Sequence, residues 1–389
     1  MKILFVSTHT NPFSTPINGD AQRTRLLLRA CARMGEVDVV TFVGSATPDI
    51  ENVRVLHDTP VSSTPQHTGK VQKWRKALFA SDLQTFFPVD REREQVIDRI
   101  VQDGDYDCIV SRYIYRTLPC GLWKYRQRLV VDFDDTLPFY FKSQQPLEAS
   151  LSTRLRTNIL SRRSKAFTQH AIRLLKAAFF AEKSVADANH ATYLPNIPYY
   201  QDSCGDPNFN APFRRLLFVG QLGYQPNREG LCHFLENIYN PLTDCIPNLE
   251  LHIVGHMPDQ LTSERWQSYR GVTLTGFVDD LRAEYQSCHA VVAPVYQCGG
   301  TNIKLLEAMQ MNRACITTAA ALKHLRPTFE NRLDIIGATS DHEFIEAIVE
   351  MLTHPESNIS MAHNGHAKMQ KYYSFDNFAT IVANTLTCR

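Results

Sequence analysis

At 389 residues the chain is longer than one hydrophobic core usually serves, and 43% hydrophobic with 21% charged residues makes it globular, so two domains are expected. A net charge of +1 gives no general attraction for nucleic acid, and ten scattered cysteines with no CxxC and no even framework point to free thiols in a reducing compartment. No apolar run approaches the roughly 18 residues of a membrane span, and MKILFVSTHT lacks the apolar core and cleavage site of a signal peptide, so a cytoplasmic placement is expected.

Residues 2–7 read as a buried parallel strand and residues 21–34 as the helix after it. The loop between them is longer than a usual βα turn, and long loops at a strand's carboxyl end are often binding loops. Gly19 ends that loop beside Arg23. Strands follow at 37–43 and 53–56. From Lys70 to Asp90 the chain mixes Lys70, Lys73, Arg75 and Lys76 with Trp74, Leu78, Phe79, Phe86 and Phe87. Such a stretch either rests on an anionic membrane surface or packs inward with a solvated basic edge. A second basic helix, 154–176, leaves the same two readings, a membrane-facing surface or, by default, a solvated face.

Residues 108–111 and 129–133 are further strands, the second running into Asp132-Phe133-Asp134-Asp135-Thr136. Carboxylates at a strand end suit a divalent metal carried by a nucleotide sugar, or equally a helix cap with hydrogen bonds to an acceptor. Short strands at 177–181 and 192–194 close this half. Composition then turns rich in Pro, Gly, Asn and Asp from Pro195 to Pro212, the pattern of an interdomain linker.

A new α/β unit opens with a strand at 215–220, a turn at 221–226 and a helix at 227–238 that places Leu231, Phe234, Leu235 and Ile238 on one face. Strands at 249–255, 273–278 and 289–295 continue the alternation, with Asp279 read as a helix cap. The stretch 289–318 is strand, glycine turn at Cys298-Gly299-Gly300-Thr301-Asn302, helix with Leu305, Leu306 and Met309 inward, and strand. Backbone N–H groups where a glycine turn meets a helix favour an anion, commonly phosphate. Lys304 and Glu307 share one face of that helix, placed either to meet a diphosphate and a sugar or ribose hydroxyl, or to form a surface ion pair worth roughly 0.2–0.5 kcal/mol. A late strand at 335–336 and helices at 343–352 and 372–386 complete the chain. Strand and helix units on both sides of a linker predict an α/β fold of two Rossmann-like doubly wound domains facing a cleft.

No GxxxxGK[ST], GxGxxG, GxSxG or HExxH is present, which removes the usual support for P-loop, dinucleotide, nucleophile-elbow and zincin chemistry. His252 and His256 are separated by a strand end, a poor geometry for a metal site.

Four motifs in order, Leu216-Leu217-Phe218-Val219-Gly220, Leu251-His252-Ile253-Val254-Gly255, Thr275-Gly276-Phe277-Val278-Asp279-Asp280-Leu281 and the run from Gly299 to Met309, resemble the retaining GT-B glycosyltransferases of the family-4 type (glycosyl transferases group 1). The match is dense from about Arg215 to Thr318. It implies an acceptor-side domain over 1–195, a linker over 196–212, a nucleotide-sugar-binding domain over 213–371, and a last helix, 372–389, returning to the first domain. The implied reaction transfers a sugar from a UDP-, GDP- or ADP-sugar, with retention and without cofactor or bound metal, to a glycan, lipid-linked or small-molecule acceptor. Polysaccharide biosynthesis is the implied setting.

By the same resemblance Glu307 holds the ribose hydroxyls, Gly299, Gly300, Thr301 and Asn302 meet the sugar and diphosphate, and Lys304 contacts phosphate. Thr275, Gly276, Phe277 and Val278 line the base pocket, with Gly220 at the neighbouring strand end. Gly19 approaches the donor phosphates with Asp20, Arg23 and His9 nearby. Asp134 and Asp135 are candidates for a general base, which together with Lys304 and Glu307 makes the catalytic set. Three departures stand out. Gly299 occupies the place of a sugar-contacting glutamate. The usual Arg and Lys after Gly220 are replaced by Gln221 and a turn, so either Arg228 substitutes or Lys304 carries the diphosphate alone. Asp20 replaces a glycine, and Arg23 is the expected partner for its charge. The rival readings are a nucleotide-sugar epimerase of the same fold, a silent nucleotide-sugar-binding scaffold, and a metal-using transferase built on Asp132 and Asp134.

Overall fold

The apolar runs form strands, and every strand pairing is parallel. Parallel strands are buried on both faces, which is why they read as continuous apolar runs and not as alternation. The computed structural model describes residues 1–389 except 14–18, 45–46, 61–73, 75–77, 80–82, 135, 139–140, 142–149, 257–259, 297–301 and 389. It divides into two α/β units, Met1–Pro195 with Asp376–Arg389, and Asn196–Phe375.

The first unit holds β1 (Lys2–Ser7), β2 (Glu36–Thr41), β3 (Val53–Asp58), β4 (Cys108–Arg112), β5 (Leu129–Asp134), β6 (Ala177–Phe180) and β7 (Thr192–Tyr193), in the order β3-β2-β1-β4-β5-β6-β7. Among its helices are α1 (Gly19–Ala32), α2 (Arg91–Asp103), α3 (Leu151–Leu174) and α4 (Lys183–Ala188). The chain steps outward from β1 to β3, then returns to the other side of β1 for β4. Its direction of winding therefore reverses between β1 and β4, and the loops at their carboxyl ends diverge there. Leu4, Val6, Ile109, Val131 and Phe180 are among the fully or almost fully buried residues of its core.

The second unit holds β8 (Arg214–Val219), β9 (Leu249–Val254), β10 (Val272–Gly276), β11 (Ala290–Ala293), β12 (Ala314–Thr318) and β13 (Ile336–Ala338), in the order β10-β9-β8-β11-β12-β13. The winding reverses between β8 and β11. Its helices include α5 (Gln225–Phe234), α6 (Gln260–Gln267), α7 (Arg282–Ser287), α8 (Ile303–Gln310), α9 (Asp341–Thr353) and α10 (Pro355–Tyr372). Phe234, Ile238, Trp266 and Phe344 pack against Leu216, Phe218 and Leu251 of the sheet.

The last helix, α11 (Phe375–Thr387), belongs from Asp376 onward to the first unit. There Arg33 donates to Asp376 at 2.6 Å and Lys176 to the Cys388 carbonyl at 3.4 Å. Residues 196–212, expected as a linker, group with the second unit. The buried Arg313 guanidinium explains the attachment, donating to the carbonyls of Gly205 at 2.7 Å, Tyr285 at 2.7 Å and Gln286 at 3.2 Å.

Two long helices have no counterpart in the sequence reading. Asp90 caps α2 by accepting from the N–H groups of Glu92 and Arg93. In α10 the core contact comes from Asn358, Met361, Ala362, Gly365 and Met369, a helical spacing with few large apolar residues. Gly365 is required by close approach, since a Cβ there would stand 3.0 Å from the Asp334 carbonyl and 3.2 Å from Met309. At the start of α7 the N-cap is Leu281, which offers no side-chain cap, and it is Asp280, not Asp279, that accepts from the Arg282 N–H at 2.9 Å. Among the described residues no helix is long and apolar enough to cross a membrane.

Candidate functional site

In the second unit the carboxyl ends of β8 and β11 lie side by side at the reversal, and residues from the segments that follow each strand meet across it. Asn302 begins α8 in extended conformation with no side-chain cap of its own, and its carbonyl accepts from the Leu305 N–H at 3.1 Å. Two positions on, Lys304 is only 8% exposed, and its ammonium donates to Asn227 Oδ1 at 2.7 Å. The same ammonium lies 5.0 Å from the centre of the Phe218 ring, a cation–π distance. Gly220, just past β8, has no side chain to intrude: a Cβ there would come within 3.0 Å of Asn227 Nδ2 and 3.1 Å of Lys304 Nζ.

One turn along α8, Glu307 is 7% exposed, too buried for a surface ion pair. Burial pushes the Tyr285 hydroxyl well above its usual acidity range, and the nearby Glu307 charge adds to the effect. That hydroxyl has no hydrogen-bond partner among the described residues. On the other side of β8, Gly255 has φ +148° and donates to the Gly276 carbonyl at 2.8 Å. A Cβ at Gly255 would strike the Gly220 carbonyl at 1.8 Å, so glycine is required for the two strand ends to meet. Gly276 closes β10, and beyond it the Phe277 ring is 48% exposed and set edge-on to His256 at 5.9 Å. Thr275 is exposed and Val278 half-buried.

In the first unit the reversal between β1 and β4 carries a network of charge. Arg112 ends β4, and its Nε donates to Asp132 Oδ2 at 2.8 Å, its Nη1 to Asp20 Oδ1 at 2.5 Å and its Nη2 to Asp134 Oδ2 at 2.8 Å. Arg23 on α1 forks onto both oxygens of Asp132 at 2.8 Å each. Both arginines are 2% exposed and Asp132 is 0% exposed, while Asp134 and Asp20 retain 16% and 31%. Tyr113 donates to Asp134 Oδ2 at 2.9 Å. His9 Nε2 lies 2.9 Å from Asp20 Oδ2, and since an ionised carboxylate only accepts, that nitrogen carries the proton.

Burial opposes the charge on Asp20, but the His9 hydrogen bond and the Arg112 guanidinium outweigh it and hold the carboxyl below the usual range. Asp132 behaves alike, burial being overcome by Arg23 and Arg112. Among the described residues two guanidinium groups face three carboxylates, a formal sum of −1 before any charge on His9, so the edge is rich in carboxylate oxygens. Tyr113 and Asp134 both take φ of 57°, a conformation that costs a non-glycine residue of order 1–3 kcal/mol and collects at functional sites.

Several expected roles change. Gly19 and Asp20 do open α1 next to Arg23, yet Arg23 does not pair Asp20; it is consumed by Asp132, and Asp20 pairs with Arg112 and accepts a hydrogen bond from His9 instead. Asp134 Oδ2, a candidate base, accepts from Arg112 and Tyr113. Asn227, and not its neighbour Arg228, reaches Lys304. His252 pairs with Glu284 at 3.1 Å. Gly299, Gly300, Thr301 and Asp135 lie outside the described residues, as do Lys70, Lys73, Arg75 and Lys76.

Arg112, Tyr113 and Asn227 were not singled out from the sequence. A cation ending the apolar strand Cys-Ile-Val-Ser-Arg is a signal that would have found Arg112, because a strand end at the carboxyl edge is where such a charge is useful. Asn227 offers none, being an ordinary turn residue until its partner is known.

Residues 213–354 match the family model described as Glycosyl transferases group 1. No curated protein sequence matches the chain. Among solved structures, sucrose-phosphate synthase from Thermosynechococcus elongatus is similar over 98% of this chain and 97% of its own, with 17% identity and a TM-score of 0.65. HepE from Anabaena, solved in complex with UDP and glucose, is similar over 100% of both chains with 14% identity and a TM-score of 0.61. WaaG, a glycosyltransferase involved in lipopolysaccharide biosynthesis, is similar over 100% of both with 15% identity and a TM-score of 0.61. The architecture is thus that of the GT-B glycosyltransferases, two parallel-sheet Rossmann-like domains.

Proposed function

We propose that the protein is a glycosyltransferase that moves a sugar from a nucleotide-sugar donor to a glycan, lipid-linked or small-molecule acceptor, with retention of configuration and without a bound metal. The observation that carries the reading is the Lys304–Glu307 face of α8. An ammonium and a carboxylate, both more than nine-tenths buried, sit one turn apart at the β8/β11 reversal of a domain that matches the glycosyl transferases group 1 model. Lys304 and the start of α8 would meet the diphosphate, and Glu307 the ribose hydroxyls. Leaving-group departure needs its growing negative charge stabilised, and these groups do that electrostatically.

Retention rests on the resemblance to the family-4 type. Asp132 is closed off by two guanidinium groups and Asp134 is held by Arg112 and Tyr113, so the route to retention that suits these residues is one without a protein nucleophile. The acceptor hydroxyl would attack on the face the leaving group vacates. Both oxygens of Asp132 and Oδ2 of Asp134 already accept from arginines, which a metal bridging the two carboxylates would have to displace. An acceptor rich in neutral hydroxyls suits the −1 balance around Asp20 and Asp134 better than an anionic one would. Lipid-linked acceptors are supported by α3, whose first turns expose Leu151 at 83% and Leu155 at 56% beside Arg154, a surface suited to peripheral contact with an anionic membrane face.

The test is a thermal-shift panel of UDP, GDP, ADP and their sugars, followed by turnover with the best donor. Stabilisation by one nucleoside diphosphate family and release of that diphosphate are expected. If no nucleotide stabilises the protein, the reading fails.

A further inference from the structure

The second unit departs from the pattern it resembles at the turn after β8, where a basic pair gives way to Gln221 and Tyr224-Gln225-Pro226-Asn227-Arg228. The geometry shows what stands there instead. Asn227 is held by its own amide: Nδ2 donates to the Gln221 carbonyl at 2.9 Å, which aims Oδ1 at Lys304 and leaves it accepting from the ammonium at 2.7 Å. We propose that Asn227 is a positioning residue that fixes Lys304 as the diphosphate-binding cation of the donor site, an inference that rests on the transferase reading.

Three observations converge on this. First, the anchor is neutral. An amide oxygen holds an ammonium in place without cancelling its charge, whereas a carboxylate at the same spot would form an ion pair and compete with a phosphate. Second, the seat is shaped from both sides. The Phe218 ring lies 5.0 Å from the ammonium, and Gly220 leaves the space over both heads open where any side chain would meet them at 3.0–3.1 Å. Third, α5 is brought to the place where Asn227 can reach across. Its Gly230 packs against the chain just after β11, where a Cβ would strike the Pro294 carbonyl at 2.0 Å. Only glycine lets α5 lie so close, and Asn227 sits one turn earlier on the same helix.

The arrangement separates charge from position. Lys304 supplies the cation, and Asn227 spares its four-carbon stem part of the rotamer entropy that binding would otherwise cost. Removing the anchor should weaken contact with the diphosphate and leave recognition of the nucleoside untouched.

The experiment measures, on the full-length protein, the affinity for whichever of UDP, GDP and ADP binds tightest and for the matching nucleoside. Asn227→Ala is expected to lower diphosphate affinity about 10-fold and Asn227→Asp, nearly the same shape but charged, to lower it further, while nucleoside affinity stays within about 2-fold in both. Retained nucleoside binding also shows that each variant is folded. Lys304→Gln should lose the diphosphate preference by itself, and adding Asn227→Ala to it should cost little more. A diphosphate-to-nucleoside ratio unchanged in both Asn227 variants, or Asn227→Asp binding like the native protein, overturns the proposal. Failure of the native protein to bind any of the three diphosphates overturns the transferase reading and this inference with it.

Discussion

Arg112 donates its Nε to Asp132 Oδ2 over 2.8 Å in surroundings that leave neither side chain more than 2% exposed. Asp132 also receives both arms of Arg23, so two guanidinium groups depend on one carboxylate. Breaking a buried pair leaves an uncompensated charge, a loss of about 3–5 kcal/mol, whereas a surface pair is worth about 1 kcal/mol at most. Asp132→Ala is therefore expected to lower the stability of the first unit by several kcal/mol, read as a fall in the urea midpoint. A midpoint within experimental error of the native protein would mean that the network is solvated in solution.

Glu307 allows a sharper test of donor recognition. If its carboxylate receives the ribose hydroxyls, the native protein should prefer a ribonucleoside diphosphate over its 2′-deoxy analogue by about 10-fold or more, since losing a hydrogen bond to a charged group costs about 1.5–3 kcal/mol. Glu307→Ala should bind both weakly and about equally. Calorimetry or thermal shift reads the ratio. A preference that survives in Glu307→Ala would assign the ribose contact elsewhere.

The fold was legible where physics acts locally. Continuous apolar runs such as Ile3 to Val6 and Ala290 to Ala293 can only be doubly buried strands, and strand-helix alternation then dictates parallel sheets. The helix α10 was not legible because its inward face is built from Asn358, Gly365 and methionines, residues that carry little periodic apolar signal. At the site, Lys304 and Glu307 are three residues apart in sequence and could be paired on one helix face by counting. Arg112 and Asp20 are 92 positions apart, and Lys304 and Asn227 are 77 apart. Those partnerships exist only once the sheet order is set. Arg23 shows the resulting error: its neighbour Asp20 was assigned to it by proximity in sequence, but Asp132 on β5 offers a bidentate geometry that Asp20 does not.

His289 predicts a pH dependence of stability. The ring is 1% exposed, with Nδ1 accepting from the Arg215 N–H at 3.1 Å and Nε2 donating to the Asn208 carbonyl at 3.1 Å, which requires the neutral form. Burial chiefly, with the Arg214, Arg313 and Arg215 charges behind it, lowers its pKa from the ordinary 6.5 to about 4 against the opposing pull of the Asn208 carbonyl. Because the folded value lies below the unfolded one, the unfolded chain takes up the proton first as pH falls. The contribution is fully present above pH 6.5 and is lost progressively between 6.5 and 4, by up to about 3 kcal/mol. Urea midpoints of the native protein should fall more between pH 7.5 and 4.5 than those of His289→Gln. Parallel declines would show that other groups govern the acid limb.

The remaining prediction concerns metal. Asp132 and Asp134 stand at a strand end in an Asp-x-Asp pattern, the arrangement that suggests a cation carried by the donor. In the fold Asp132 accepts from Arg23 and Arg112, and Asp134 from Arg112 and Tyr113. A divalent cation bridging the two would have to displace guanidinium groups that are themselves almost fully buried, crowding positive charge around it. On the proposed reading the charge of a departing diphosphate is met in the second unit, by Lys304 and the start of α8. Turnover with the preferred donor should therefore be unchanged, within about 2-fold, after exhaustive treatment with EDTA, and Lys304→Ala should lower it by about 100-fold or more. Activity that disappears with the chelator and returns with magnesium or manganese would move the diphosphate contact from Lys304 to a metal ion.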